Sequence, residues 1–260
     1  DILGHELGQI ASEKAGIIKP SIPVIIGESA AEATCVLLER AQTMNAPVAL
    51  WDRDIHIKAE MDNSVNVMMG RELVSDIRVP LPGLHQKHNA ALAASACVLL
   101  RNRGWNMPDA AIRRGIQDTT WPGRLERIGE NPLVVLDAAH NPDSCQVLAQ
   151  YVSSIREAYT HCVLVFGCMK DKNAKMMLAC FDGVVDTRLY VTPPMSRAMR
   201  ASNLQMLRNG TACDSTADAL MQARHAAGEG GVIIVAGSIF LMAEARSQLL
   251  QLPTEPLIGM

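Results

Sequence analysis

The run "VVLDAAHNP" delivers a carboxylate, an imidazole and an amide (Asp137, His140 and Asn141) into one loop at the end of an apolar strand. A proline then opens the next helix. Two readings fit these residue types. Asp137 and Asn141 are caps of that helix, or Asp137 accepts from the hydroxyls of a nucleotide ribose, as strand-end carboxylates do in doubly wound sheets. "WPGRLE" places Arg124 in a connector. There it is either a solvated charge or a guanidinium that clamps phosphoryl oxygens as two domains close. "LPGLHQKHNAALA" sets His85, His88 and Asn89 near a helix start. Two histidines at that spacing suit a metal, but no third ligand follows at a suitable distance, which argues against zinc. Asn89 is a cap or reads an adenine edge. Lys14, in "IASEKAGIIKP", is by residue type a surface cation. "FGCMKDKN" brings Gly167 and Lys170 to Asn173 to a second strand end, and "GVIIVAGS" brings Gly237 and Ser238 to a third.

These residues need elements to hold them. From "PLVVLDAAH" onward, apolar strands ("HCVLVFG", "TRLYVTP", "GVIIVAGS") alternate with helices such as "DSCQVLAQYVSSI", "AKMMLACF" and "STADALMQARHAA". Continuous Val/Ile/Leu strands between helices predict a parallel sheet covered on both faces, with ligands at the carboxyl ends of its strands. The earlier part is mixed. "PVIIGES" and "PVALW" read as short buried strands around the helix "AEATCVLLERAQTMN". "DIHIKAEM", "SVNVMMG" and "LVSDIRVPL" alternate with period two, with turns at "MDNS" and "GRE", and predict a small antiparallel sheet. The helix "QKHNAALAASACVLLRNRG" stops at Gly104, and "PDAAIRRGIQ" carries Pro108 in its first turn. "TTWPGRLERI" breaks the periodicity, which puts a domain boundary there and divides the chain into 1–120 and 121–260.

Composition narrows the partners. A net charge of -3 gives no broad basic field, and 3% aromatics leave few stacking platforms, so nucleic acid is not the expected partner. No apolar run is long enough to span a bilayer, and no signal peptide opens the sequence. The seven cysteines include no CxxC and mostly sit in apolar runs, which predicts buried free thiols in a reducing cytoplasm. The expectation is a cytoplasmic α/β protein, monomeric, with small-molecule partners.

Taken in order, "LGQIASEKAGIIKPSIPVIIG", "LPGLHQKHNAALA", "WPGRLE", "LDAAHNPDS", "FGCMKDKN" and "IIVAGSIFLMAEAR" resemble the signatures of the folylpolyglutamate synthase/dihydrofolate synthase family, within the Mur ligase superfamily. The resemblance implies the C-terminal part of the ATP-binding domain over 1–120, with the antiparallel sheet as an insert, then a Rossmann-like C-terminal domain over 121–260. It implies an ATP-dependent ligase that adds L-glutamate to a folate or dihydropteroate carboxylate through an acyl phosphate. It further implies ATP and Mg2+, with Lys14 carbamylated to hold a second metal. By the same resemblance Asn89 contacts adenine, Arg124 the phosphates and Asp137 the ribose, while His140 and Lys172 lie near the γ-phosphate and the amino acid. No G-x-x-x-x-G-K-[ST] phosphate loop occurs in the sequence. The expectation is therefore the C-terminal portion of a longer protein, inactive by itself. Two alternatives stand beside it: a Mur-type peptidoglycan-precursor ligase, and a nucleotide-binding remnant without catalysis.

Overall fold

The computed structural model describes residues 6–27, 30–60 and 64–253. Leu3–Gly4, Glu28–Ser29 and the turn residues Met61–Asn63 lie outside them. The chain divides into two units, Asp1–Thr120 and Trp121–Met260.

In the first unit, α1 (Leu7–Ala15) packs on α2 (Ala31–Thr43) around Ala15, Ile18, Ala41 and Ala46. The short strands β1 (Val24–Ile26) and β2 (Val48–Leu50) pair in parallel. The alternating segments become β3 (Ile55–Ala59), β4 (Ser64–Met69) and β5 (Glu72–Arg78), an antiparallel meander in the order β3-β4-β5. Its inward residues Ile55, Val65, Val67, Val74 and Ile77 are almost fully buried. They lie against α3 (Leu84–Asn102) through Ala91, Ala94 and Val98, and against α4 (Asp109–Gln117) through Ile112. Alternation thus marks a sheet with one wet face. A register shift between Val65 and Val67 accommodates Asp76, whose φ is 56°. Arg101, at the end of α3, forms ion pairs with Glu72 on β5 and Asp109 on α4. Hydrogen bonds from Asn102 and then Arg101 hold the Glu72 carboxyl below its usual range. Pro108 is the N-cap of α4, one place earlier than its first-turn expectation.

The second unit is a six-stranded sheet in the order β10-β9-β8-β11-β7-β6. Its strands are β6 (Glu126–Ile128), β7 (Leu133–Leu136), β8 (Cys162–Phe166), β9 (Thr187–Tyr190), β10 (Thr211–Ala212) and β11 (Val232–Ala236). All pairings are parallel except β6 with β7. β7, β8 and β11 are buried at every position, because side chains on both faces meet helices. One face packs under α5 (Pro142–Ile155), α6 (Ala174–Ala179) and α7 (Ala201–Leu207). The other packs under α8 (Thr216–Ala227) and α9 (Ile239–Leu250). Fully burying one such aliphatic side chain contributes about 1.5–3 kcal/mol. α/β architecture is thus observed, with a mixed sheet.

The order of strands creates a crevice. β11 lies between β7 and β8. The helices that follow β7 and β8 cover one face, and the helix that follows β11 covers the other. Connections therefore leave neighbouring strands in opposite directions, which opens a gap beyond their carboxyl ends.

"TTWPGRLERI" is not a free connector. Glu126–Ile128 is an edge strand of the second unit, and the turn before it is hydrogen-bonded to that unit: the Ala138 N–H donates to the Gly123 carbonyl at 2.8 Å. Limited proteolysis should accordingly cut at Asp118–Trp121, ahead of this anchor, and leave a folded C-terminal fragment. First cleavage inside 130–250 contradicts that boundary.

Candidate active site

The loop after β7 is built by its own polar residues. Asn141 is the N-cap of α5: its Oδ1 accepts from the Ser144 N–H at 2.8 Å, and Ser144 Oγ accepts from the Asn141 N–H at 3.2 Å. This reciprocal capping satisfies two orphan donors at the helix start. Asn141 is thus the cap that its residue type allows, and Asp137 is not. Asp137 is only 8% exposed. Its Oδ1 accepts from the Ala139 N–H and its Oδ2 from the Leu125 N–H, both at 2.9 Å. Hydrogen bonds to an ionised acceptor each contribute about 1.5–3 kcal/mol. His140 is exposed, with Nδ1 2.9 Å from the Ala138 carbonyl. A proton on Nδ1 donated to that carbonyl leaves Nε2 as the acceptor facing outward.

Arg124 occupies the turn tied down by Asp137. Its side chain is exposed, and no ion pair engages it among the described residues. Below it, Glu126 accepts from the Gly123 N–H at 2.8 Å and pairs with Arg246 at 2.9 Å. Gly123 has φ 71°, a left-handed conformation that favours glycine, and its Cα faces the flexible end of the Met242 side chain. Arg124 is therefore carried by the second unit, where the sequence suggests a connector. The Glu126–Arg246 pair has no signature in the sequence, since its members are 120 residues apart.

The loop after β8 carries Lys172, which pairs with Asp171 at 2.9 Å. That hydrogen bond is the main cause holding the Asp171 carboxyl below its usual range. The loop is zipped to the one after β9: the Lys170 N–H donates to the Arg197 carbonyl, and the Met199 N–H to the Cys168 carbonyl. Ser238 caps α9, its Oγ accepting from the Phe240 N–H at 3.2 Å. Gly237, φ 103°, packs so closely on the Gly167 carbonyl and Phe166 that no side chain fits. His140, Lys172 and Ser238 thus stand on the three loops that edge the crevice around β11.

Lys14 and Asn89 belong to the first unit. Asn89 lies inside α3, not at its cap, which is Gly83. It is exposed and donates from Nδ2 to Gln86 Oε1 at 3.1 Å. His88 stacks edge-on against Trp51 with ring centroids 4.1 Å apart. Lys14 is exposed in the last turn of α1. Among the described residues no group of three His, Cys, Asp or Glu is placed to hold a metal. These residues do not assemble a magnesium site by themselves, and Lys14 offers an oxygen ligand only once carbamylated. Of the cysteines, Cys145, Cys162, Cys168 and Cys213 are buried, and Cys35 is exposed against expectation. Burial pushes the thiols of Cys145, Cys162 and Cys168 up to about 12, which makes them inert.

A mostly parallel sheet whose strand order switches around β11 defines the class. Residues 123–239 match the family Mur ligase, glutamate ligase domain, and the second unit is a domain of that kind. The whole chain is homologous to folylpolyglutamate synthases and dihydrofolate synthases and corresponds to their C-terminal portion. It is 31% identical to a folylpolyglutamate synthase of Lacticaseibacillus casei over 96% of its own residues and 59% of that protein. It is 29% identical to the dihydrofolate synthase/folylpolyglutamate synthase of Bacillus subtilis, over 96% of the chain and 60% of that protein. The chain thus spans about three fifths of the length of the curated relatives it matches. Among solved structures, Mycobacterium tuberculosis folylpolyglutamate synthase complexed with ADP superposes with a TM-score of 0.82 at 28% identity, covering 98% of this chain and 61% of that one. E. coli FolC in complex with DHPP and ADP gives 0.85 at 27%, covering 96% and 58%. The Yersinia pestis bifunctional enzyme, complexed with AMPPNP and Mn ion, gives 0.83 at 26%, covering 96% and 58%.

Proposed function

We propose that this chain is part of an ATP-dependent ligase that joins L-glutamate to the carboxylate of a folate or dihydropteroate. The observation that carries this reading is its likeness, along nearly its whole length, to ligases of that one kind, including ADP-bound structures. The same likeness favours the folate branch over peptidoglycan-precursor ligases.

The chemistry assigned to the site is as follows. A carboxylate oxygen of the folate attacks the γ-phosphorus of ATP, ADP leaves, and an acyl phosphate forms. The amino nitrogen of glutamate then attacks the acyl carbon. The tetrahedral intermediate collapses with loss of inorganic phosphate, and the amine proton leaves to give the amide. Arg124, with its guanidinium uncommitted, takes the charge that develops on the phosphoryl oxygens. His140, through Nε2, receives the amine proton, because its Nδ1 is spent on the Ala138 carbonyl. Lys172 binds a carboxylate of the incoming glutamate. Asn89 reads the adenine edge with the donor and acceptor of its amide. Lys14, as a carbamate, is a ligand of a divalent ion, which when bound neutralises phosphate charge. No helix among the described residues is long and apolar enough to cross a membrane, and the proposed setting is the cytoplasm with small-molecule partners.

The test is ADP release by the full-length gene product. It should require both glutamate and a reduced folate or dihydropteroate. ADP formed equally without either acceptor, or not at all in their presence, contradicts the reading.

A further inference from the structure

We propose that the loops after β8 and β9 bind the free carboxylates of a γ-glutamyl tail already attached to the folate. The inference rests on the ligase reading above. Residues 167–175 and 191–200 carry five cations, Lys170, Lys172, Lys175, Arg197 and Arg200, against the single carboxylate of Asp171, in a chain whose net charge is -3. Lys172 pairs with that carboxylate. Lys170, Lys175, Arg197 and Arg200 are exposed, and no ion pair engages them among the described residues.

The backbone holds these cations side by side. The Lys170 N–H donates to the Arg197 carbonyl at 3.0 Å, and Met169 bridges Ala198 as an antiparallel pair. Met169 and Ala198 are buried, so their neighbours Lys170 and Arg197 turn to solvent from one short ladder. Arg197 also lies near Asp171: the Lys172 hydrogen bond is the largest cause holding that carboxyl low, and the charge of Arg197 adds to it. Arg200 occupies the N-cap of α7 without capping it, and Lys175 stands in the first turn of α6. A carboxylate rather than a cation stabilises a helix start, and neither first turn contains one. Like charges gathered in this way repel one another, and an anionic ligand offsets that repulsion. Glutamate alone has a pair of carboxylates, too few for this surface once Lys172 has taken one. A γ-linked tail presents one free α-carboxylate per residue along a flexible chain, and the proposed reaction lengthens such a chain.

The experiment compares KM for reduced folates bearing one glutamate and bearing a γ-linked tetraglutamate, in the full-length gene product and in its Lys170→Gln/Arg197→Gln variant. The wild type should favour the tetraglutamate. The variant should raise KM for the tetraglutamate about fivefold more than for the monoglutamate, the scale of two exposed charge contacts. Added salt should raise the wild-type KM for the tetraglutamate steeply and that of the variant less. Lys170→Arg/Arg197→Lys, which keeps both charges, should keep the preference. Arg224→Gln removes one cation from α8 on the opposite face of the sheet and should leave the preference intact. Equal rises for both acceptors, a rise of the same size in KM for ATP or L-glutamate, the same loss in Arg224→Gln, or its appearance in the charge-keeping variant each overturn the inference. A wild type that accepts dihydropteroate but no glutamylated folate also overturns it and leaves the ligase reading standing. A wild type inactive with every acceptor overturns the ligase reading itself.

Discussion

Arg124→Ala should lower the turnover number by roughly a hundredfold, about 2.7 kcal/mol of barrier, while KM for ATP moves little. The guanidinium is exposed and unpaired among the described residues, so removing it strands no buried partner and leaves stability nearly intact. Its backbone turn is fixed at Gly123 and Leu125. Charge on the transferring phosphoryl group is where such a group acts most strongly. Arg124→Lys should recover only part of the loss, because an ammonium keeps the charge but not the planar fork. Steady-state kinetics with ATP varied at saturating glutamate and folate separates the cases. A rise in KM with kcat unchanged makes Arg124 a binding residue and removes it from the phosphoryl-transfer step.

Lys14→Ala should lower the rate at least about a hundredfold, the several-kcal/mol scale of a lost charge-neutralising group. The expected change in stability is within about 0.5 kcal/mol, as at other exposed positions. The physical argument concerns the helix end. Lys14 is in the last turn of α1, where the helix dipole favours a cation. A carbamate there is an anion in an unfavourable field unless a cation sits beside it, so carbamylation and divalent-ion binding should be linked. Labelled bicarbonate should give a carbamate resonance that strengthens with added Mg2+ and vanishes in Lys14→Ala. Acetate should partly restore the variant's rate by replacing the missing carboxylate oxygens. Wild-type activity in Lys14→Ala, or no carbamate signal in the wild type, returns Lys14 to an ordinary surface cation.

The strands that edge the crevice are legible because runs such as "VVL", "CVLVF" and "VIIVA" are buried only when both faces are covered. The meander is legible from its period of two, which β4 and β5 keep apart from the shift at Val65/Val67, whereas β3 buries only Ile55. β6 is not legible. Its three residues are held by backbone pairing to β7, and Glu126 and Arg127 carry no apolar pattern. The candidate site divides along the same line. Asp137, His140 and Lys172 are visible as polar residues where apolar strands end. What Asp137 holds is not, since its partners include the N–H groups of Leu125 and Ala139, and backbone donors look alike in any sequence. For the same reason Arg124 reads as a hinge residue although its turn belongs to the second unit. Asn89 reads as a cap because the glycine that begins α3 leaves no side-chain signal.

In the proposed reaction glutamate is joined through an acyl phosphate. Folate substrate labelled with heavy oxygen in its reacting carboxylate tests this most directly, with the released inorganic phosphate analysed by mass spectrometry after glutamate-dependent turnover by the full-length gene product. One labelled oxygen is expected in each phosphate released, because the carboxylate oxygen that attacks phosphorus leaves with it. Phosphate free of label, with the amide formed at the normal rate, would contradict it.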